Sequence, residues 1–128
     1  VTVGNFVIVG GGTGLQQFIR VGDHAFIGGG AGVLTDVIPF GLVRDNPAHL
    51  AGLNLVGLRR REFSREQIHE LRRAYRLLFA DEGTLAERVE DVASEFASHT
   101  LVHEILDFIR AGGERAICVP HDVNAPDR

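Results

Sequence analysis

The sequence has no lysine, no methionine and no tryptophan, and it holds one cysteine, Cys118, and one tyrosine, Tyr75. A lone cysteine excludes an internal disulfide and fits a reducing compartment. No stretch approaches the ~20 apolar residues of a membrane-spanning helix, and the start carries no secretory pattern. Stable membrane insertion is therefore not expected, and the cytoplasm is the expected location. The formal net charge of −4 argues against a general nucleic-acid binder. Every basic side chain is an arginine, and they are unevenly spread. Arg59 to Arg76 holds seven arginines against three glutamates, whereas Asp81 to Asp107 is mostly acidic. Apolar residues make up 45% of the 128, enough for one domain with a small appendage.

What is present is a repeat. An aliphatic residue recurs every sixth position at Val3, Val9, Leu15, Val21, Ile27 and Val33. Two places before each stands another apolar or small residue: Val1, Val7, Thr13, Ile19, Ala25 and Ala31. A period of six suits neither an amphipathic helix nor one alternating strand. It suits a hexapeptide β-helix, in which six residues form one side of a triangular coil and both repeated positions point inward. Val1 to Ile38 then supplies about two coils. Gly4, Gly10, Gly22 and Gly28 fall at the bends, where a side chain would crowd the turn or the next coil. Gly10 to Gly14 also resembles a phosphate-cradling loop. No amphipathic helix opens after it, however, and no Lys-Ser/Thr pair closes it. Stacked repeats need at least ~3 units for a continuous core, so the chain is expected to be the C-terminal part of a longer protein.

Pro39 stands where the next aliphatic is due and predicts the exit from the sheet. Residues 1–41 are read as the last coils, 42–53 as a connector punctuated by Asn46-Pro47, and 54–128 as a helical subdomain with a short tail. Asn54 caps a short helix over Leu55 to Arg61. Ser64 and Gln67 form a capping box before the apolar stripe Ile68, Leu71, Tyr75, Leu78. Thr84 and Glu87 form another before Leu85, Val89, Val92, Phe96. A further helix runs from about Leu101 to Arg110 and stops at Gly112-Gly113. Ala116 to Pro120 is expected to dock as an extended strand, and Asn124 to Arg128 to fray.

The stretches Gly10-Gly11-Gly12-Thr13-Gly14-Leu15-Gln16-Gln17-Phe18 and Asn54-Leu55-Val56-Gly57-Leu58-Arg59-Arg60-Arg61-Glu62-Phe63-Ser64-Arg65-Glu66 resemble the C-terminal half of the UDP-N-acetylglucosamine acyltransferases of lipid A biosynthesis. The likeness covers nearly the whole chain, through Arg115-Ala116-Ile117-Cys118. It implies a homotrimeric left-handed parallel β-helix followed by helices, mainly β with α. It also implies transfer of a 3-hydroxyacyl group from acyl carrier protein to the sugar's 3-hydroxyl, with no cofactor or metal. The family's base is a histidine on a coil that would precede Val1, so no catalytic residue is expected within this chain and the chain alone is expected to be inert. His24 is read as a solvated bend residue, and His69, His99 and His103 as surface residues on or beside helices. His49 and His121 fall in loops without an argued partner, and the histidines show no metal spacing with Cys118 or with one another.

By the same resemblance, Asn54, Arg60 and Arg61 meet the nucleotide end of the substrate. Guanidinium forks suit phosphate oxygens, and an asparagine both donates and accepts. The plain alternative is a solvated arginine run at a helix C-terminus. Gln17 matches a pocket glutamine. Gln16 stands where many relatives have histidine, so it cannot titrate near neutral pH. Val56 replaces a glutamate found in some relatives. Gly29 matches the position that limits acyl length, its alternative being a plain turn glycine. The helical stripe of Arg65, Arg72 and Arg76 is expected to dock acyl carrier protein, against the alternative of a solvated face. Two further readings stay open: a non-catalytic trimerisation or carrier-binding module, and a related hexapeptide enzyme that acylates an amino sugar.

Overall fold

In a computed structural model, which describes residues 1–121, two-residue strands recur every six residues. They are β1 (Thr2–Val3), β2 (Ile8–Val9), β3 (Gly14–Leu15), β4 (Arg20–Val21), β5 (Phe26–Ile27) and β6 (Gly32–Val33). β1, β2 and β3 each pair in parallel with the strand 18 residues on, as Thr2 with Arg20, Ile8 with Phe26 and Gly14 with Gly32. Three six-residue sides therefore close one coil. The hexad aliphatics stack coil on coil, and the second coil, covered on both sides, carries the burial: Val21, Ile27 and Val33 are at most 3% exposed, whereas Val3 and Val9 are above 40%.

Each corner needs one residue in the left-handed region, and these too recur every six residues, at Phe6, Gly12, Phe18, His24 and Gly30, with φ between 57° and 74°. A residue with a Cβ costs about 1–2 kcal/mol there. The hexad glycines Gly10 and Gly22 are not these corner residues. They lie where coils touch: a Cβ on Gly10 would run into the Gly29 backbone, and one on Gly22 into Pro39.

The sheet does not end at Pro39. Val37 bridges Val21 in parallel, and β7 (Gly41–Arg44) lies parallel on β5, with Leu42 on Phe26 and Val43 on Ile27. The offset has shortened from 18 to 16 residues, which is why the hexad pattern is lost although the coil goes on. Pro39 takes a corner against Gly22, where its missing N–H interrupts no ladder. Residues 42–53, expected as a connector, instead form β7 and β8 (His49–Leu53), an antiparallel hairpin around Asn46-Pro47. β8 brings the buried Leu50 and Leu53 over the end of the stack.

Four helices follow: α1 (Leu55–Arg60), α2 (Arg65–Leu78), α3 (Leu85–Glu95) and α4 (Thr100–Ala111). Both capping boxes form, with Ser64 and Gln67 exchanging bonds of 2.8 and 3.0 Å and Thr84 and Glu87 bonds of 3.1 and 3.2 Å. Ile68, Leu71, Ala74 and Leu78 of α2 pack with Val89, Val92 and Phe96 and with Val102, Ile105 and Leu106. Tyr75, expected in the α2 stripe, is half-buried at its edge.

The tail docks extended as expected. Asp36 N–H donates to Ala116 O, Cys118 N–H to Asp36 O and Leu50 N–H to Val119 O. The Asp36 carboxylate, 1% exposed, accepts from Arg20 N at 2.8 Å, Arg20 Nε at 2.9 Å and Arg115 Nε at 3.0 Å. Arg20 also donates to Phe108 O at 3.0 Å and lies 4.1 Å over the Phe108 ring, so one carboxylate ties the coils to α4 and the tail. Burial pushes the Asp36 carboxyl up, but the bonds from Arg115 and Arg20 outweigh it and hold it below the usual carboxylate range. The expected fraying of Asn124 to Arg128 concerns residues outside those described.

Candidate functional site

The outward residues of β2, β5 and β7, namely Ile8, Phe26 and Leu42, stack in register because side chains alternate along each strand. They floor a groove of about 780 Å³. One wall is the segment from Ala51 to Gly57 with Arg60 of α1, and the other is Arg72, Tyr75 and Arg76 of α2. The groove is thus apolar below and arginine-lined above. It suits an elongated ligand with an apolar part and an anionic end. Burial pushes the Tyr75 phenol up, so it stays an O–H donor at neutral pH.

Asn54 is at the groove but is occupied. It is 6% exposed, its Oδ1 accepts from Gly57 N at 3.1 Å as the cap of α1, and its Nδ2 donates to His24 O at 3.0 Å. One amide hydrogen remains for a ligand. The amide also fills the space a Cβ on Gly57 would take, which explains a glycine inside so short a helix. Of the arginine pair, Arg60 lines the groove, while Arg61 lies 3.8 Å over the ring of Phe6.

His24 differs from its reading as a solvated bend residue. Its ring is sandwiched between Phe6 at 5.0 Å and Phe40 at 5.6 Å, with Phe63 edge-on at 5.3 Å. Burial, with Arg61 acting the same way and Asp23 opposing, lowers its pKa. His24 therefore props the corner that carries Asn54 and Arg61 rather than offering a free base. His99 and His103 are half-buried, with His99 Nε2 3.5 Å from Glu70 and His103 Nε2 3.1 Å from Phe96 O. His49 and His121 are each other's partners, their ring centroids 3.6 Å apart.

Arg72 and Arg76, read from sequence as a docking stripe with Arg65, share the groove with Arg60, whereas exposed Arg65 lies outside its lining. Gln16 and Gln17 are exposed just past β3, on a different side of the coil, and do not line the groove. Gly29 is an exposed corner residue whose added Cβ would lie 3.2 Å from Gly11 O. Sequence reasoning missed Tyr75 and the floor. The available signal was the residue just before each hexad aliphatic, which is apolar at Ile8 and Phe26.

Comparison with known proteins puts this geometry in context. Residues 36–118 match the family described as UDP N-acetylglucosamine O-acyltransferase, domain 2. The acyl-(acyl-carrier-protein)–UDP-N-acetylglucosamine O-acyltransferase of Methylobacterium radiotolerans is 64% identical over 75% of this chain and 35% of its own length. That of Rhizobium etli is 46% identical over 89% of this chain and 42% of its own length. The solved UDP-N-acetylglucosamine acyltransferase of Arabidopsis superposes with a TM-score of 0.84 at 33% identity, covering 92% of this chain and 43% of that one. The one from Campylobacter jejuni gives 0.79 at 34%, covering 92% and 44%. The chain thus spans well under half the length of these relatives, and the end of a left-handed β-helix followed by helices is shared with them.

Proposed function

Because the chain belongs to the UDP-N-acetylglucosamine O-acyltransferase family, we propose that it forms the binding part of an enzyme moving a 3-hydroxyacyl group from acyl carrier protein to the 3-hydroxyl of UDP-N-acetylglucosamine, the first step of lipid A biosynthesis. The observation that carries this reading is the groove, in which Arg60, Arg72 and Arg76 stand above the apolar floor of Ile8, Phe26 and Leu42. Anionic groups of the nucleotide or of the carrier's arm meet the arginines, and apolar chain meets the floor. Asn54 acts through α1, holding Arg60 at the rim, and has one N–H left to donate. The base is assigned to a histidine outside Val1 to Arg128. It takes the proton of the sugar hydroxyl, and that oxygen attacks the thioester carbonyl. The carbon–sulfur bond breaks, and the proton passes to the leaving sulfur. Backbone N–H groups hold the developing oxyanion.

Gln16, Gln17 and Gly29 lie away from their own chain's groove; in the homotrimer that the family likeness implies, a neighbour's groove would face them. No dissociable cofactor enters the reading. The reaction is placed in the cytoplasm; among the described residues no helix is long and apolar enough to cross a membrane.

The test uses the purified enzyme with a 3-hydroxyacyl carrier thioester and either UDP-N-acetylglucosamine or its 3-amino analogue. An ester product, cleaved by mild base, with the higher kcat/KM for the hydroxyl sugar is expected. Preference for the amino sugar would overturn the assignment in favour of an amine-acylating relative, a reading that Gln16 keeps open.

Reversing Arg72 and Arg76 to glutamate should raise KM for the carrier thioester and flatten its salt dependence. A rise confined to KM for the sugar nucleotide would instead give these arginines to the nucleotide. Gly29→Met should shift kcat/KM towards shorter acyl chains. With each buried methylene worth roughly 0.8 kcal/mol, a two-carbon difference gives about a ten-fold change in the ratio. An unchanged ratio in a folded trimer would make Gly29 a turn glycine only.

A further inference from the structure

Away from the groove, the β7–β8 hairpin and the docked tail bring three metal-ligating side chains together. Asp45 turns the hairpin with φ 75°, His49 opens β8, and His121 follows the tail. One ligand atom from each lies within 4.8 Å of the others. His49 Nδ1 and Asp45 Oδ2 are 3.3 Å apart, long for a charge-assisted hydrogen bond, which runs about 2.7–2.9 Å. It is the separation of two donors that each bind one tetrahedral ion at about 2.0–2.1 Å. The His49 side chain is only 13% exposed, and its buried Nδ1 has no hydrogen-bond partner. A buried polar atom left in that state is uncommon and calls for an explanation such as an ion.

We propose that Asp45, His49 and His121 bind a divalent transition-metal cation of the zinc class, with a fourth position left to water. Two imidazoles and one carboxylate are a donor set for zinc, cobalt or nickel rather than for magnesium or calcium, which take oxygens. The two histidines are held in place by the backbone. Leu50, next to His49, donates its N–H at 2.9 Å to the oxygen of Val119, two residues before His121. The ion would therefore clip the tail to the hairpin at a point already joined by one hydrogen bond. Arg44 is the charge that opposes it, and its exposed side chain has water to screen it. None of the three ligands lines the groove, so the site is a clip and takes no part in acyl transfer.

The probe is Co(II), followed by displacement with Zn(II), on the purified protein. The strong visible absorption of four-coordinate cobalt is expected at one ion per chain. His121→Gln, at an exposed position that leaves the core intact, and His49→Gln should each weaken Zn(II) binding by at least about ten-fold, with acyl transfer by the complete, zinc-free enzyme unchanged. The same variants should abolish any rise in melting temperature on adding zinc. A cobalt spectrum no different from that of the hydrated ion would overturn the proposal. So would Zn(II) affinity that survives in the double variant, which would put the ion elsewhere, for instance at His99 and Glu70.

Discussion

Asp36→Ala is expected to cost about 3 kcal/mol of folding stability, measured by urea unfolding at fixed protein concentration. Removing one member of a buried ion pair typically costs about 3–5 kcal/mol. The lower end applies because Arg20 and Arg115 keep 23% and 42% exposure and rehydrate in part. Asp36→Asn keeps an acceptor for the Arg20 backbone N–H but loses the charge, so its loss should be smaller. pH separates the two causes. The carboxyl is held below its ordinary 3.8, so its contribution is complete above that value and disappears as pH falls through the lower folded one. The gap between wild type and Asp36→Asn should therefore narrow below about pH 4. A gap that stays constant would mean that packing, not charge, holds the junction.

Asn54→Ala should lose about 2–3 kcal/mol and weaken sugar-nucleotide binding at least ten-fold, read as KM and by direct titration. The stability loss joins a missing N-cap, about 0.5–2 kcal/mol, to a His24 carbonyl left without its donor, about 1–3 kcal/mol. The binding loss follows because α1 carries Arg60 into the groove. Asn54→Ser keeps a capping oxygen without the amide. It should recover part of the stability and, if Asn54 acts through α1, most of the affinity as well. If serine restores stability and no affinity, the remaining amide hydrogen of Asn54 touches the ligand directly.

The parts of the fold legible in sequence were those written by local periodicity. Val3 to Val33 announce the coils at a spacing no other element shares, and Ser64-Gln67 and Thr84-Glu87 announce helix starts through bonds that span three residues. β7 and β8 were hidden because shortening one coil from 18 to 16 residues breaks the hexad without breaking the sheet. Pro39 then looks like an exit when it is a corner. The site was half legible. Arg60 was a candidate by its chemistry and its resemblance and lines the groove, but that Arg72 and Arg76 share that groove depends on how α1 and α2 meet. No spacing encodes that angle. His24 looked like any bend residue because its three aromatic neighbours come from positions 6, 40 and 63. The grouping of positions 45, 49 and 121 is likewise a product of the docked tail.

The Asp36 junction also orders events in time. Its partners Arg20 and Arg115 lie 16 and 79 residues away in sequence, so the nearer bond can form while the chain is still growing and the farther one cannot. Until the segment from Arg115 to Cys118 arrives, the coil end carries a carboxylate bonded by Arg20 alone and an edge with no strand beside it. Long-range contacts of this kind form late because a large loop must close first. The segment from Arg115 to Cys118 is therefore the one that locks the coil end, and a protein lacking it would expose a sticky β edge. Closure of the coil end thus waits on a segment 79 residues beyond the carboxylate that it completes.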